Sequence, residues 1–574
     1  MCRLIMSPLI ASVLLLTTVW QPVRGDDLLQ LVHRDAAFCL HVPRPVADWQ
    51  RIQSSKFADR ITASPLFREW QESPEFQNLA GVRSLVEGVL GKPLPQAAQQ
   101  LFGAGFVFAG YVVPGGKPDG VLLHEADSEA SIRDLVAKLG RLADPKTEEL
   151  THRDTVYERW DTKDGKTVHF VTLGKVLAVA ESQALIQQVI DLRLDDQLDS
   201  SLAGRDELIK AAKRRTDSEV AAVYVSPRAW DSHVTADPES PQLLKDAWKR
   251  CLWVTMRLRY DDAPEFDVEA DYDSTDTPES WTRWTDLASS SELPVERIPD
   301  NVLLAMSGLL DSPGIADLTQ SAQPVDAELP KEIRQARRML SGLLLGLDPV
   351  NDLLPALGPR WMAYVVPREF DADSDAVSKS FPVDMLFAIE LQRDDSGPNT
   401  DSDPIAALHN ALGTGLNVLA AVHNTRTTRQ IAVVREKSVG DVTIRWAEPV
   451  ALFRPAYAIA DGYLLLASSP ELCEQFLAKS GRRDGLAAEF RNALQFVVAS
   501  SPAARKLLST HEAWFMWRAS KDNVPADEAA RRLQYLDGLL QMLDSVWLST
   551  SLDKDLIRLT AGVSVSGDQT ADGK

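Results

Sequence analysis

The sequence predicts an α+β protein built as two tandem pseudo-repeats, each a mainly antiparallel sheet with helices packed on one face. Three observations predict it. Short apolar runs are joined by tight-turn signals, the mark of antiparallel hairpins. Stretches with apolar residues at three- and four-residue steps lie between them, the mark of helices laid on a sheet. And the order of these elements occurs twice along the 574 residues.

The repeat rests on order more than on identity. Tyr111-Val112-Val113-Pro114 recurs as Tyr364-Val365-Val366-Pro367, behind Gly105 and Gly358. Upstream, Asp35-Ala-Ala-Phe-Cys-Leu corresponds to Asp300-Asn-Val-Leu-Leu-Ala. Downstream, Arg159-Trp160 corresponds to Arg445-Trp446, the run from Gly174 to Val179 to that from Gly462 to Ala467, and Trp253 to Trp547. The first unit is expected over 27–288 and the second over 295–567, with the boundary in the Pro-containing stretch Ser289–Pro294. An Asp/Ser/Pro-rich insertion from Phe370 to Pro404 and a small polar tail over 568–574 read as surface chain.

Within the first unit, a strand at 36–42 precedes a helix at 76–90, for which Ser73-Pro74-Glu75 supplies an N-cap and a proline at the first helical position. Its partner in the second unit is a helix over Lys331–Leu345. Strands follow at 105–113 and 120–125, then a helix capped by Ser128. Asp164-Gly165 and Leu173-Gly174 signal hairpins between strands at 155–160, 167–172 and 175–180. A long hairpin from 252 to 272 turns through Asp261-Asp262-Ala263-Pro264. Trp514-Phe515-Met516-Trp517 reads as a strand with aromatics on both faces, buried or lining an apolar ligand surface.

Residues 1–25 have the pattern of a secretory signal peptide. Met1-Cys2-Arg3 is cationic, Leu9–Trp20 is apolar, and Val23-Arg24-Gly25 precedes a cut before Asp26. An uncleaved N-terminal anchor is the alternative, and no later run approaches the length of a membrane-spanning helix. The chain is thus expected to be exported, periplasmic or extracellular, with no integral membrane domain beyond that anchor. Removal of the leader takes away Arg3 and Arg24, leaving 59 basic against 82 acidic residues, a net charge of −23. Such a surface repels phosphates and excludes a nucleic-acid partner. Lys210-Ala-Ala-Lys213-Arg214-Arg215, the densest basic patch, reads as the solvated C-terminal turn of a helix. Cys39, Cys251 and Cys473 lie far apart in apolar stretches and read as small buried side chains, which excludes a disulfide framework.

No motif for chemistry survives inspection, and the sequence assigns no catalytic, cofactor-binding or metal residue. His33-Arg34-Asp35 and His152-Arg153-Asp154 spell a kinase triplet, but Leu40 and Arg159 stand where its Asn belongs. Gly165-Lys166-Thr167 lacks the first glycine of a phosphate loop, which is Trp160. Gly103-Ala-Gly105 opens a strand and lacks a third glycine. Asp371-Ala-Asp373-Ser-Asp375 has alternating carboxylates, yet Ala376 and Pro382 replace the Gly and Glu of a calcium loop. His409 and His423 lie on a helical segment and its end, facing solvent. Trp160/Trp446 and Trp253/Trp547 recur in both units and so read as core.

The stretch Asp461-Gly-Tyr-Leu-Leu-Leu-Ala-Ser-Ser-Pro-Glu-Leu472 resembles a family of exported bacterial proteins described as a domain of unknown function. Ser64-Pro65-Leu66 and Ser73-Pro74-Glu75, before Leu90-Gly91, are similar too, while Glu181-Ser-Gln-Ala184 departs from it. The resemblance implies export and a duplicated α+β fold and carries no activity. Three functions are open on this basis. First comes a non-catalytic binding or scaffolding protein with a protein or apolar-ligand partner. An envelope hydrolase with a spatially assembled site, and a carrier of an apolar ligand, follow.

Overall fold

The computed structural model describes residues 25–565, except 104, 113–116, 164, 196–197, 235–241, 276–278, 316–334, 336–337, 340, 345, 369–380, 393–402, 427–430, 449–452 and 479–489. Residues 1–24 of the expected signal peptide, the Asp371–Asp375 carboxylates, most of the helix expected at 331–345, and the tail over 568–574 lie outside the described residues. The chain divides into two compact units, Met1–Thr275 with Asp555–Lys574, and Asp276–Lys554. That division differs from the boundary expected at 289–294. A helix over Glu279–Ser290 lies between the two positions and ends inside the expected stretch, and its Trp284, Leu287 and Ala288 pack on the core of the second unit.

Among the described residues the first unit holds eleven strands. In chain order these are β1 (Phe38–Val42), β2 (Phe106–Tyr111), β3 (Asp119–Glu125), β4 (Lys146–His152), β5 (Thr155–Asp161), β6 (Thr167–Leu173), β7 (Val176–Ala180), β8 (Glu219–Val225), β9 (Cys251–Tyr260) and β10 (Pro264–Tyr272), with β20 (Leu556–Ser564) added from the end of the chain. They lie side by side as β4-β5-β6-β7-β3-β2-β1-β8-β9-β10-β20, every neighbour antiparallel. Strand β20 belongs to this unit because Leu556–Gly562 pairs with Asp271–Glu265 of β10. The second unit contains β11 (Leu304–Leu309), β12 (Leu357–Pro367), β13 (Val383–Leu391), β14 (Val433–Val439), β15 (Val442–Glu448), β16 (Ala456–Ala460), β17 (Tyr463–Ala467), β18 (Gln495–Ser500) and β19 (Ser545–Leu552). Their order is β14-β15-β16-β17-β13-β12-β11-β18-β19, again antiparallel throughout.

Local chemistry sets the turns. Arg153 and Asp154 stand at φ 47° and 64° between β4 and β5, and Asp461 and Gly462 at φ 50° and 77° between β16 and β17. Two consecutive residues at positive φ make the turn whose twist matches antiparallel strands. This also places His152-Arg153-Asp154 at a hairpin rather than a catalytic loop.

Helices cover both faces of each sheet, which corrects the one-faced packing expected from the sequence. In the first unit, α1 (Glu129–Ala143) sets Ile132 among Phe170, Leu177 and Val179. Helix α2 (Gln183–Asp195) buries Leu185, Ile186, Val189 and Ile190 against Val107, Val121, Ala178 and Ala180. Neighbours on a strand point to opposite faces, so Leu177 and Ala178 put α1 and α2 on opposite sides. In the second unit, α4 (Pro404–Arg426) joins Leu408 to Ile389, Leu391 and Leu464. Helix α5 (Pro470–Leu477) buries Leu472, Cys473 and Phe476 beside Leu386, Ala388 and Leu465 on the other side. The physical reason lies in the strands: Met385-Leu386-Phe387 and Leu464-Leu465-Leu466 are apolar at every position, and a sheet apolar on both faces needs cover on both.

At the end of α3 (Asp206–Lys213), between α2 and β8, Lys210 and Lys213 of the basic patch are exposed as expected, whereas Arg214 and Arg215 enter a buried ionic cluster. Arg214 pairs with Glu269 at 2.7 Å and Asp271 at 2.9 Å, and Arg215 with Glu219 at 3.0 Å. At the centre Arg257 reaches Glu269 at 2.7 Å, Asp267 at 3.1 Å and Glu219 at 3.3 Å, and donates to the Ala211 carbonyl. Arg558 of β20 adds a third guanidinium to Glu269. Of the cysteines, Cys39 and Cys473 are buried and Cys251 is half-buried; all are free thiols.

Candidate functional site

Helix α4 begins at Asp403, whose carboxylate accepts the Ile405 N–H, with Pro404 at the first helical position. Its inward residues are Leu408, Ala411, Leu412, Gly415, Leu416 and Leu419. These recur at three- and four-residue steps and so form one stripe. The stripe faces the β11–β12–β13–β17 side of the second sheet, where Leu304, Met306, Ala363, Val365, Met385, Phe387 and Leu466 point outward. Helix and sheet touch at Leu408, Ile389 and Leu464, and again where Leu416 meets Ala447 and Tyr457. Gly413 permits that approach, since a Cβ there would lie 3.3 Å from the Tyr457 hydroxyl.

Between these contacts the two surfaces stand apart and enclose a cavity of about 1060 Å³. Among the described residues lining it, none carries a charged side chain. Met385, Phe387, Leu466 and Leu419 are 36–45% exposed although they line the cavity, so its wall is reachable from solvent. Gly415 has no atom within 4 Å of where its Cβ would stand, in the middle of the inward stripe.

Ser468 brings a hydroxyl to the wall, and that hydroxyl is fully engaged. It accepts the Met385 N–H at 2.9 Å and donates to Asp384 Oδ1 at 2.6 Å. Asp384 in turn pairs with Arg368, whose guanidinium lies over the Phe453 ring. His511 sits close by but donates Nε2–H to the Arg368 carbonyl at 3.1 Å, and burial lowers its pKa. A nucleophile needs a base within hydrogen-bond reach; here the serine faces a salt-bridged carboxylate and the histidine faces a carbonyl. His409 is not solvent-facing as expected: its Nε2 lies 3.2 Å from Arg445 Nη1 and its ring meets the Tyr457 ring edge-on. Burial first, and the Arg445 charge second, lower its pKa. Among the described residues no group of three His, Cys, Asp or Glu side chains is arranged to hold a metal ion.

Two further expectations are corrected. Trp514–Trp517 lies in a helix, α6 (Glu512–Lys521), rather than a strand. Its residues Glu512-Ala513 and Arg518-Ala519 are good helix formers, and the helix continues through four half-buried aromatic or methionine side chains; Trp514 meets Phe381 edge-on at 6.0 Å. And α4, at 23 residues, is long and apolar enough by length and composition to cross a membrane, so a later run does reach that length. One such helix is weak grounds for a span, and α4 buries Ala407, Leu408, Leu416 and Ala420 within its unit. The inward stripe is legible in the sequence as Leu408, Leu412, Leu416 and Leu419, at three- and four-residue steps.

No protein-family model matches the chain, and no curated protein matches it. Among solved structures, crystal form III of TP0453 aligns with 47% of this chain and 89% of that chain, at 6% identity and a TM-score of 0.24. At that level neither a fold nor a function transfers.

Proposed function

We propose that this chain is a non-catalytic, exported binding protein that holds a long-chain apolar ligand under α4 of its second unit. The observation that carries the reading is the cavity of about 1060 Å³ walled by aliphatic and aromatic side chains. Pockets for small molecules span roughly 300–1,000 Å³ and usually orient a polar ligand with a few convergent polar groups. Among the described side chains that face this one, no polar group is left to do this: the Ser468 hydroxyl is already satisfied and the Tyr457 hydroxyl donates to the His409 carbonyl. Recognition must therefore come from apolar area, at about 0.8 kcal/mol per buried methylene. An alkyl chain meets that requirement and a sugar, nucleotide or peptide does not. The paired state of Ser468, Asp384, Arg368 and His511 supports binding over hydrolysis.

We read the two units as copies of one α+β unit. In support, adding ten to each strand number in β4-β5-β6-β7-β3-β2-β1-β8-β9 gives β14-β15-β16-β17-β13-β12-β11-β18-β19. On the corresponding face of the first copy, Phe108 and Leu122 are 38% and 39% exposed. There α1 puts Ile132 on Phe170, the Trp160 and Phe170 rings pack edge-on at 4.8 Å, and Gly140 lies against Trp160.

The test is titration with a long-chain alkyl probe carrying an environment-sensitive fluorophore, on the wild-type chain and on Gly415→Leu. Leucine at 415 projects into the cavity while improving helix propensity by about 1 kcal/mol. The expected result is saturable binding by the wild type, at least tenfold weaker in the variant, with a melting temperature unchanged or raised. Equal binding by both chains would contradict the site.

A further inference from the structure

We propose that the first unit also binds a long-chain apolar ligand, on the sheet face that corresponds to the cavity wall, as a second and weaker site; this rests on the apolar-ligand reading. The strand register lines up Leu122, Phe108, Leu40, Val223, Met256 and Val268 in one row from β3 to β10. The row lies on the side away from α2, because Val121 and Val107, next in sequence to Leu122 and Phe108, pack with α2. The cavity of the second unit lies on the equivalent side, away from α5, where Phe387 stands between Leu386 and Ala388. In the first unit α1 covers this face as far as Val179, the strand partner of Leu122. Beyond it the six side chains are half-buried or exposed.

Strands β9 and β10 are patterned inside out. Arg257, Asp267 and Glu269 are buried on one side, while the paired Leu258 and Phe266 on the other are 37% and 43% exposed. A half-solvated antiparallel strand ordinarily turns its apolar residues in and its charges out. The reversal leaves a broad uncharged apolar surface, which marks a binding site.

The chain between β1 and β2 supplies a second apolar surface. Its counterpart between β11 and β12 gives Leu344 and Leu353 to the cavity wall. Here it forms helices Lys56–Ala63, Pro65–Gln71 and Pro74–Leu90, on which Trp70, Val82 and Leu85 are exposed. These helices start at the edge of the open face. The Ser55 hydroxyl, which caps the first of them, lies 2.7 Å from the Tyr260 hydroxyl, and Tyr260 is on the same side of β9 as Leu258.

Shape and charge choose the occupant. A second copy would have to lay a flat surface past helices rooted at the rim of the face, and two molecules each of net charge −21 repel. An alkyl chain is narrow and uncharged and asks for no hydrogen bond, which matches a row of six side chains with neither charge nor donor. A chain lying on an open sheet buries about half of its surface, whereas one in the cavity is enclosed. The first-unit site therefore gains roughly twofold in affinity per methylene where the cavity gains fourfold.

Titration of the full chain with the fluorescent alkyl probe, held below the concentration at which it self-associates, tests this. The wild type is expected to show a tight phase and then a second phase at least about tenfold weaker. Gly415→Leu should weaken the tight phase and leave the second as it was. Phe108→Gln with Leu122→Gln should do the reverse, lowering the affinity of the second phase at least about fivefold with the tight phase and the melting temperature unchanged. Both positions are exposed, so the core is untouched. Leu258→Gln with Phe266→Gln, farther along the same face, repeats the test should the first pair disturb folding. No second phase in the wild type, or one that survives both glutamine pairs, overturns the first-unit site and leaves the cavity reading standing. Sedimentation of the wild type as a dimer that the glutamine pairs turn into a monomer assigns the face to a second copy and also overturns it. A tight phase indifferent to Gly415→Leu removes the cavity reading instead, while a second phase lost in the glutamine pairs upholds the first-unit site.

Discussion

Replacing Arg257 with methionine is expected to lower the stability of the first unit by about 3–5 kcal/mol. The guanidinium is 2% exposed and is the shared partner of Glu219, Asp267 and Glu269 on neighbouring strands. Removing it leaves carboxylates buried without their main counter-charge, which costs more than the pairing gained. Glu269 shows the balance: burial alone would raise its pKa, but Arg257, Arg558 and Arg214 overcome that and hold it below the ordinary value. A carboxyl depressed on folding contributes stability above its unfolded value of about 4.3, lost as pH falls through the folded value. The wild type should therefore lose stability in acid below about pH 4, and the variant should lose less over the same range. Scanning calorimetry across pH checks both parts. Arg531→Ala, which breaks an exposed pair one helical turn apart, should leave the transition where it was.

Phe476→Ala should cost a similar 3–5 kcal/mol in the second unit, as expected for truncating a fully buried aromatic ring. Phe476 is 0% exposed, meets the Tyr463 ring at 5.6 Å, and has the Arg297 guanidinium 4.6 Å from its centre. Phe387→Ala provides the contrast. That ring is 38% exposed on the cavity wall, so its loss widens an existing hollow rather than creating one. Denaturant unfolding should separate the two: a large fall in midpoint for Phe476→Ala, a small one for Phe387→Ala. Probe binding should weaken only for Phe387→Ala at temperatures where both chains are folded.

The antiparallel sheets and their turns were legible because their signals are local. Leu173-Gly174 and Asp461-Gly462 mark hairpins, and Ser73 and Ser128 cap helices, accepting the Phe76 and Ser131 N–H groups as their spacing predicted. Two-sided cover was written in Met385-Leu386-Phe387 but outweighed by the alternating strands elsewhere. Arg214 and Arg215 misled for the opposite reason. A basic run at a helix end normally points to water, and only the register of β9 and β10 brings Glu269 and Asp271 beneath it. Trp514–Trp517 misled because four large apolar residues in a row fit either period. The cavity was least legible of all. A hollow is set by how far α4 stands from the sheet, and no single residue encodes that separation.

The most direct test of the apolar-ligand reading is the affinity of the full chain for a series of alkyl carboxylates of increasing length, read by displacement of the fluorescent probe. Each added methylene should tighten binding roughly fourfold, following about 0.8 kcal/mol per methylene, until the cavity is full. Beyond that length the affinity should level off, and Gly415→Leu should level off at a shorter chain. Affinity independent of chain length, or the same plateau in wild type and Gly415→Leu, would contradict binding beneath α4.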